Sequence, residues 1–420
     1  MSQLYDHHSQ MEPLLIGHER PGYRALLGLA SELLEASGRL DAAIVPATAR
    51  GLADLVVGMN CYYSNLIEGH HTFPVEIERA LLATASEQRQ QDLPTLAVAH
   101  IAADRWAQSR SILETGIRPF IMEVHRIFFE ALPTEMRVLA EGGGEVIPGQ
   151  LRERNVRVGR HVAPAVESLD DFLARYASVY GQALERATAD PTSRLEAVVA
   201  SLAAHHRLVW IHPFLDGNGR MARIVLDAML RACGVNPLGL WSLSRGFAKT
   251  AKIYKEKLAL ADSPRQGDLD GRGNLSEKGL VDFIGYGLQT ATDQARFISQ
   301  SLEVERLGER VRGYFTKVRY DLAPESAALY WRAVRDGEFA RMEAERITGL
   351  PERTARNVLG RLVEEGFLVS DTPKGKVRAG FPVRALGSLF PNLYPAGDLD
   401  QLSASPDELS DRIRRTRIRG

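Results

Sequence analysis

The chain has 420 residues, 45% hydrophobic and 25% charged, with a formal net charge of -1. These proportions belong to a globular protein with a substantial core and exclude a disordered, fibrous or low-complexity chain. The near-zero balance excludes a global pull toward nucleic acid or anionic membrane, and two cysteines, Cys61 and Cys233, in no metal-ligand or redox spacing fit a reducing cytoplasm.

The first residues, MSQLYDHHSQMEPLL, lack a basic segment followed by an apolar one, and no apolar run reaches about 18 residues, so no membrane partner is expected. Residues 24–37 place Leu26, Leu27, Leu29, Leu33 and Leu34 toward one helical face, with Gly38 as the stop. A second helix is expected over 47–68, ending at Gly69, and further ones over 74–87, 92–115, 119–131 and 168–186. Between about 133 and 165 helical periodicity disappears, glycines accumulate, and NVRVGRHVAP around Gly159 reads as a β-hairpin. Helices resume at 193–210 and 218–232. The polar, glycine-rich 262–275 reads as an exposed loop, and helices follow from 276 to about 319.

After residue 322 the order becomes helix, helix, a tight turn at Gly349 to Pro351, helix, and a two-stranded ribbon, the order of a winged helix-turn-helix module. Pro351 suits the first turn of the third helix, and Val358, Leu359, Leu362 and Val363 form its buried face. The end of the chain, RIRRTRIRG, is a basic tail.

The stretch IHPFLDGNGRMAR, residues 211–223, concentrates the chemistry. Pro213 pushes His212 out of the helical region toward an extended conformation, so the preceding helix stops there. Phe214 and Leu215 anchor a loop, and Gly217, Asn218 and Gly219 allow backbone geometries that bulkier residues resist. The next helix then presents free N–H groups and its positive dipole end to the loop, an anion site. Arg220 and Arg223 lie one turn apart and reach the same polyanion. Asp216 beside phosphate makes sense with a bridging Mg2+ ion, and His212 offers a base that titrates near neutrality. The set reads as a site for a nucleoside triphosphate with Mg2+. A capped turn at a helix start uses several of the same residue types, but not all of them in this order.

HPFLDGNGRMAR matches the pattern HPFx(D/E)GNGRxxR at every fixed position and so resembles the Fic (filamentation induced by cAMP) family. The resemblance implies a mainly α fold and transfer of AMP from ATP to a Ser, Thr or Tyr hydroxyl of a protein target. In that scheme His212 deprotonates the hydroxyl, Asp216 holds Mg2+ against the phosphates, Gly217, Asn218, Gly219 and Arg220 bind phosphate oxygens, and Arg223 meets the γ-phosphate. Positioning and charge stabilisation are what phosphoryl-type transfer requires. The hairpin, with Val156, Val158, Gly159 and His161, sits where the family carries a flap that registers the target by strand addition. Tyr254 falls in a region near the nucleotide base, where the family's frequent tyrosine pair is replaced here by Tyr254 and Lys255.

SNLIEG, residues 64–69, matches (S/T)xxxE(G/N), the inhibitory-helix pattern of many members of that family, although serine, glutamate and glycine at this spacing also describe an ordinary helix end. The resemblance implies that Glu68 pairs with Arg223 and denies it to the γ-phosphate, with Ser64 fixing the helix one turn earlier. Self-modification follows from the same chemistry, and in some members the corresponding glutamate serves AMP removal instead. His205 and His206 read as packing residues, and His125, on an apolar face, as a core histidine. The expected plan is a helical region over 1–110 bearing the inhibitory helix, a Fic core over 111–320, a winged helix-turn-helix over 321–395 and a basic tail over 396–420. Arg353, Arg356 and Arg361 with Lys374, Lys376 and Arg378 make DNA an alternative partner of the winged helix; winged helices also dock proteins or a second copy of their own chain, as a homodimer, and Glu352, Glu364 and Glu365 dilute the positive face.

Overall fold

A computed structural model describes residues 5–82, 92–139, 143–159 and 161–399. Helix α1, Tyr23–Ala43, buries Leu26, Ala30, Leu33, Ser37 and Leu40 at spacings of three and four residues. It runs through Gly38, the expected stop. Burial of Leu40 two residues on outweighs the roughly 1 kcal/mol that an exposed glycine costs in a helix. Helix α2, Pro46–Ile67, does end at Gly69, whose φ of 84° lets the His70 N–H turn back to the Asn65 carbonyl at 2.9 Å. Helix α3 spans Pro74–Leu82; the remainder of the helix expected to reach residue 87 lies outside the described residues.

The single helix expected over 92–115 is two, α4 (Asp92–Gln108) and α5 (Ile112–Thr115), because Ser111 caps a new start by accepting the Glu114 N–H at 3.3 Å. Helices α6 (Ile117–Glu130) and α7 (Thr134–Arg137) precede the hairpin. Its strands, β1 (Arg157–Val158) and β2 (His161–Val162), are antiparallel, with Arg157 opposite Val162 and Val158 opposite His161.

Helices α8 (Leu169–Ala189) and α10 (Asn218–Ala232) pack along α9 (Arg194–Ile211). The apolar stretch of α9 is buried on nearly all sides from Ala197 to Ile211, the burial expected of a helix without a polar face. Helices α11 (Leu243–Lys249) and α12 (Ala251–Ala261), absent from the sequence reading, come before the 262–275 loop. That loop is anchored rather than merely exposed: Asp270 is buried and accepts the N–H groups of Gln266 and Lys278, each at 2.8 Å. Helix α13 is Glu277–Ser301.

Two compact units interleave along the chain. One holds the described residues within Met1–Ala42, Asn60–His71 and Thr84–Phe297; the other holds those within Ala43–Met59, Thr72–Ala83 and Ile298–Gly420, so α2 contributes residues to both. In the second unit, α14 (Val304–Gly313) and a π-type turn (Tyr314–Val318) lead to α15 (Ser326–Asp336), α16 (Ala344–Thr348) and α17 (Glu352–Glu364). Gly349, with φ 69°, turns the chain between α16 and α17. Strand β3 (Leu368–Val369) pairs antiparallel with β4 (Arg378–Ala379), and α18 (Val383–Leu389) and α19 (Ala396–Leu399) follow. Helix α17 buries Ala355, Val358, Leu359 and Leu362, whereas Val363 is only half-buried. Within this unit Thr48 donates to the Val334 carbonyl at 2.8 Å, and Gly51 allows close approach, since a Cβ there would lie 2.5 Å from the Ala379 carbonyl oxygen. The basic tail beyond residue 399 lies outside the described residues. Among the described residues, no helix is long and apolar enough to cross a membrane.

Candidate functional site

Helix α9 ends at His212, whose φ of 50° and ψ of 62° are left-handed rather than extended. A residue with a Cβ held there costs roughly 1–3 kcal/mol and persists only where its surroundings demand it. Arg152 lies against it: its Nε donates to the His212 carbonyl at 2.9 Å, and its backbone N–H donates to the Pro213 carbonyl at 2.9 Å. Phe214, fully buried, stacks on His125 with ring centroids 3.8 Å apart. Asn218 closes the loop from the other end, Oδ1 accepting the Phe214 N–H and Nδ2 donating to the Phe214 carbonyl, both at 2.9 Å. Its side chain is therefore tied to the loop through both amide atoms. Gly217 has φ 79°, and a Cβ there would lie 2.6 Å from Phe129 Cε2, so conformation and space both require glycine.

Helix α10 begins at Asn218, and its first N–H groups have no carbonyl one turn earlier to bond. They face the loop whose rim carries the exposed Asp216, which accepts the Gly217 N–H at 2.6 Å. Burial, then the nearby His161 and Arg152, push the His212 pKa down to about 4, with Asp216 opposing. The imidazole is thus neutral at pH 7 and free to accept a proton.

Arg223, one turn into α10, is 3% exposed. Its Nε donates to Ser64 Oγ at 3.0 Å, and one terminal nitrogen donates to the Ser64 carbonyl at 3.0 Å and to Glu68 Oε1 at 2.7 Å. Glu68 also fills the space over the helix start: a Cβ on Gly219 would lie 2.3 Å from Glu68 Oε1. Burial works against ionisation of Glu68, but Arg223, then Arg220 and Lys255, outweigh it and lower its pKa. Arg220 is buried too, 5.3 Å from the Phe128 ring centroid.

The hairpin carries Val158 and Gly159 exposed and Val156 half-buried. His161 Nε2 lies 2.7 Å from the Trp210 carbonyl, which joins β2 to the last turn of α9. Sequence reasoning missed Arg152, because the arginines at 152, 154 and 157 look equivalent until the hairpin closes.

Tyr254 is 2% exposed, its hydroxyl lies 2.8 Å from His205 Nε2, and its ring stacks on Phe247 at 4.4 Å, so the structure places it in an aromatic cluster behind α9 rather than on the open surface. His205 also meets the Ala222 carbonyl at 3.1 Å, and His206 lies 3.1 Å from Asp262 Oδ1; both are packing residues. His125 is a buried core residue, its Nδ1 accepting the Gly149 N–H at 2.9 Å. Among the described residues no group of three or more His, Cys, Asp or Glu is arranged to hold a metal. Asp216 alone fits Mg2+ only if the remaining ligands are phosphate oxygens and water, which is the usual habit of that ion.

Residues 118–230 match the model of the Fic/DOC family. The protein adenylyltransferase Fic of Drosophila yakuba is 34% identical over 122 residues, covering 28% of this chain and 20% of the relative. That of Drosophila willistoni is 33% identical over 121 residues, covering 28% and 20%. The chain thus spans about a fifth of the length of the curated relatives it matches. A crystal structure of a Fic family protein from Desulfovibrio desulfuricans G20 aligns over 88% of this chain and 98% of that one, with 18% identity and a TM-score of 0.48.

Proposed function

We propose that this chain, which carries a Fic/DOC-family domain over residues 118–230, transfers AMP from ATP to a hydroxyl side chain of a protein and is held inactive by its own Glu68. The observation that carries the reading is the double occupancy of Arg223, bonded to Ser64 and Glu68 at the start of the phosphate-facing helix.

In the reaction, the target hydroxyl oxygen attacks the α-phosphorus and its proton passes to the His212 imidazole. The new O–P bond forms as the bond to the β-phosphate oxygen breaks, and pyrophosphate leaves. The backbone N–H groups at the start of α10 hold phosphate oxygens. Arg220 and Arg223 balance charge, the latter on the γ-phosphate once Glu68 withdraws. Asp216 is the residue that would hold Mg2+, which would supply further charge neutralisation on the phosphates. The exposed hairpin edge registers the target backbone by strand addition.

The second unit is proposed as a winged helix that docks protein rather than DNA. Several of its cations are already engaged: Arg356 by Glu352, Arg361 by Glu365 at 2.8 Å, and Lys376 by Glu338 at 3.2 Å.

The test incubates wild type, Glu68→Gly and His212→Ala with α-labelled ATP, CTP, GTP and UTP in a cell lysate and in isolation. Label on target proteins or on the chain itself should rise in Glu68→Gly and vanish in His212→Ala, the latter a loss of about 100- to 10,000-fold for removal of a general base. A premodified target added to the same assay scores AMP removal. No transfer by any form would refute the reading.

A further inference from the structure

The catalytic loop and the hairpin meet at one buried side chain. Arg152, 2% exposed, donates from Nε to the His212 carbonyl at 2.9 Å, from one terminal nitrogen to the Arg154 carbonyl at 2.9 Å, and from the other to the Pro164 carbonyl at 2.6 Å. Its backbone N–H holds the Pro213 carbonyl. None of these partners is a carboxylate. Arg154 and Pro164 are the two feet of the β1–β2 hairpin, and His212 is the residue held in a left-handed conformation. A planar fork reaching three separate chain segments is something arginine provides and lysine, with its single nitrogen, does not. Burying a cation against neutral dipoles alone carries a desolvation cost, visible here as a pKa pushed down to about 10 by burial with Glu167 opposing.

We infer that Arg152 is a positioning residue: it holds His212 in its left-handed conformation and couples docking of a target segment on the hairpin to placement of the imidazole. The catalytic half of this inference rests on the proposed AMP transfer, whereas the tether does not. Without the fork, the His212 carbonyl loses its side-chain donor, the Pro213 carbonyl keeps only the backbone N–H of residue 152, and His212 relaxes toward the extended backbone that Pro213 favours. The phosphate contacts, which belong to Gly217 through Arg223, stay in place.

The test uses the full chain in the Glu68→Gly background, comparing Arg152→Ala and Arg152→Lys. In Arg152→Ala, kcat should fall about 100-fold, the size of effect that a misplacement of about 1 Å produces. KM for ATP should change by no more than about twofold, since ground-state binding is untouched. Guanidinium ion at sub-denaturing concentration should restore part of the kcat of Arg152→Ala and none of that of Arg152→Lys. Hydrogen exchange provides a readout independent of transfer. The amides of residues 152, 163 and 214, which bond to Pro213, Val156 and Asn218, should exchange faster in Arg152→Ala while those of α8 do not.

Unchanged exchange at these amides overturns the inference whatever the activity. Faster exchange with unchanged kcat overturns the positioning role. If Glu68→Gly itself transfers no AMP, the proposed function fails, and the exchange data alone decide the tether. Should Arg152→Ala not fold, Arg152→Lys, which keeps the charge and the stem, carries the same comparison.

Discussion

Glu68→Gly removes the carboxylate that is ion-paired with Arg223 and leaves the two bonds to Ser64. The guanidinium is 3% exposed and the carboxylate 32% exposed, so the pair is partly sheltered from solvent. A hydrogen bond between charged partners in such a setting contributes on the order of 1.5–3 kcal/mol. If that energy is what keeps Arg223 from the γ-phosphate, its loss raises the competent fraction by about 10- to 150-fold. Initial rates of AMP incorporation from α-labelled ATP at subsaturating nucleotide read this directly. Glu68→Gln, which keeps the size and an acceptor oxygen but not the charge, should fall between wild type and Glu68→Gly. Stability should move the other way, because a buried cation has lost its counter-charge; ATP then supplies the missing anion and should raise the Tm of Glu68→Gly more than that of wild type. Equal rates in wild type and Glu68→Gly would refute the reasoning, and so would a rate increase unaccompanied by a larger thermal shift with ATP.

Two further outcomes are expected. Burial above all drives the pKa values of His100, His125 and His205 down to about 3 and that of His212 to about 4, against an ordinary 6.5. Between those values the unfolded chain binds more protons, so their contribution is complete above pH 6.5 and is lost as pH falls toward 4, at roughly 2 kcal/mol per histidine by pH 5. Urea midpoints followed by tryptophan fluorescence should therefore drop sharply between pH 7 and pH 5, and equal midpoints would contradict the burial. Gly219→Ala places a Cβ 2.3 Å from Glu68 Oε1 but 3.3 Å from the next flexible group, Arg223 Nη1. It should destabilise wild type by about 1–3 kcal/mol through displacement of Glu68 and be close to neutral in Glu68→Gly, a coupling that a double-mutant cycle measures; additive effects would show that Glu68 does not occupy that space.

Local rules made much of the fold readable. Periodic apolar residues located the main helices, and Gly69, Pro213 and Gly217 ended or turned the chain where their backbone preferences required. The departures came from contacts distant in sequence. Gly38 remained helical because Leu40 had a core to enter, and the helix expected over 92–115 split where Ser111 offered a cap. The helices over 243–261 have short or mixed apolar faces, so periodicity was too weak a signal for them. Unit boundaries were unreadable for a related reason: α2 is continuous in sequence, yet its two halves belong to different packing groups.

The site divides along the same line. The spacing of Arg220 and Arg223 and the free helix start follow from thirteen adjacent residues, and the order Ser64, Glu68 is one helical turn. That Asn218 commits its side chain to Phe214, that Tyr254 turns inward to His205, and that Arg152 rather than a neighbouring arginine is buried all depend on partners 4 to 60 residues away. Arg152, Arg220 and Arg223 are buried cations, and the described carboxylates whose charge bears on them are Glu167 for Arg152, Asp216 and Glu68 for Arg220, and Glu68 and Asp227 for Arg223. Buried positive charge is unfavourable unless an anion or well-aimed dipoles meet it. Carbonyls meet Arg152 permanently, whereas Glu68 meets Arg223 in a way that a polyphosphate can replace. Inhibition and local stability thus arise from one contact, so any input that releases the inhibitor must also furnish an anion, and the nucleotide is the group whose charge and placement satisfy both requirements.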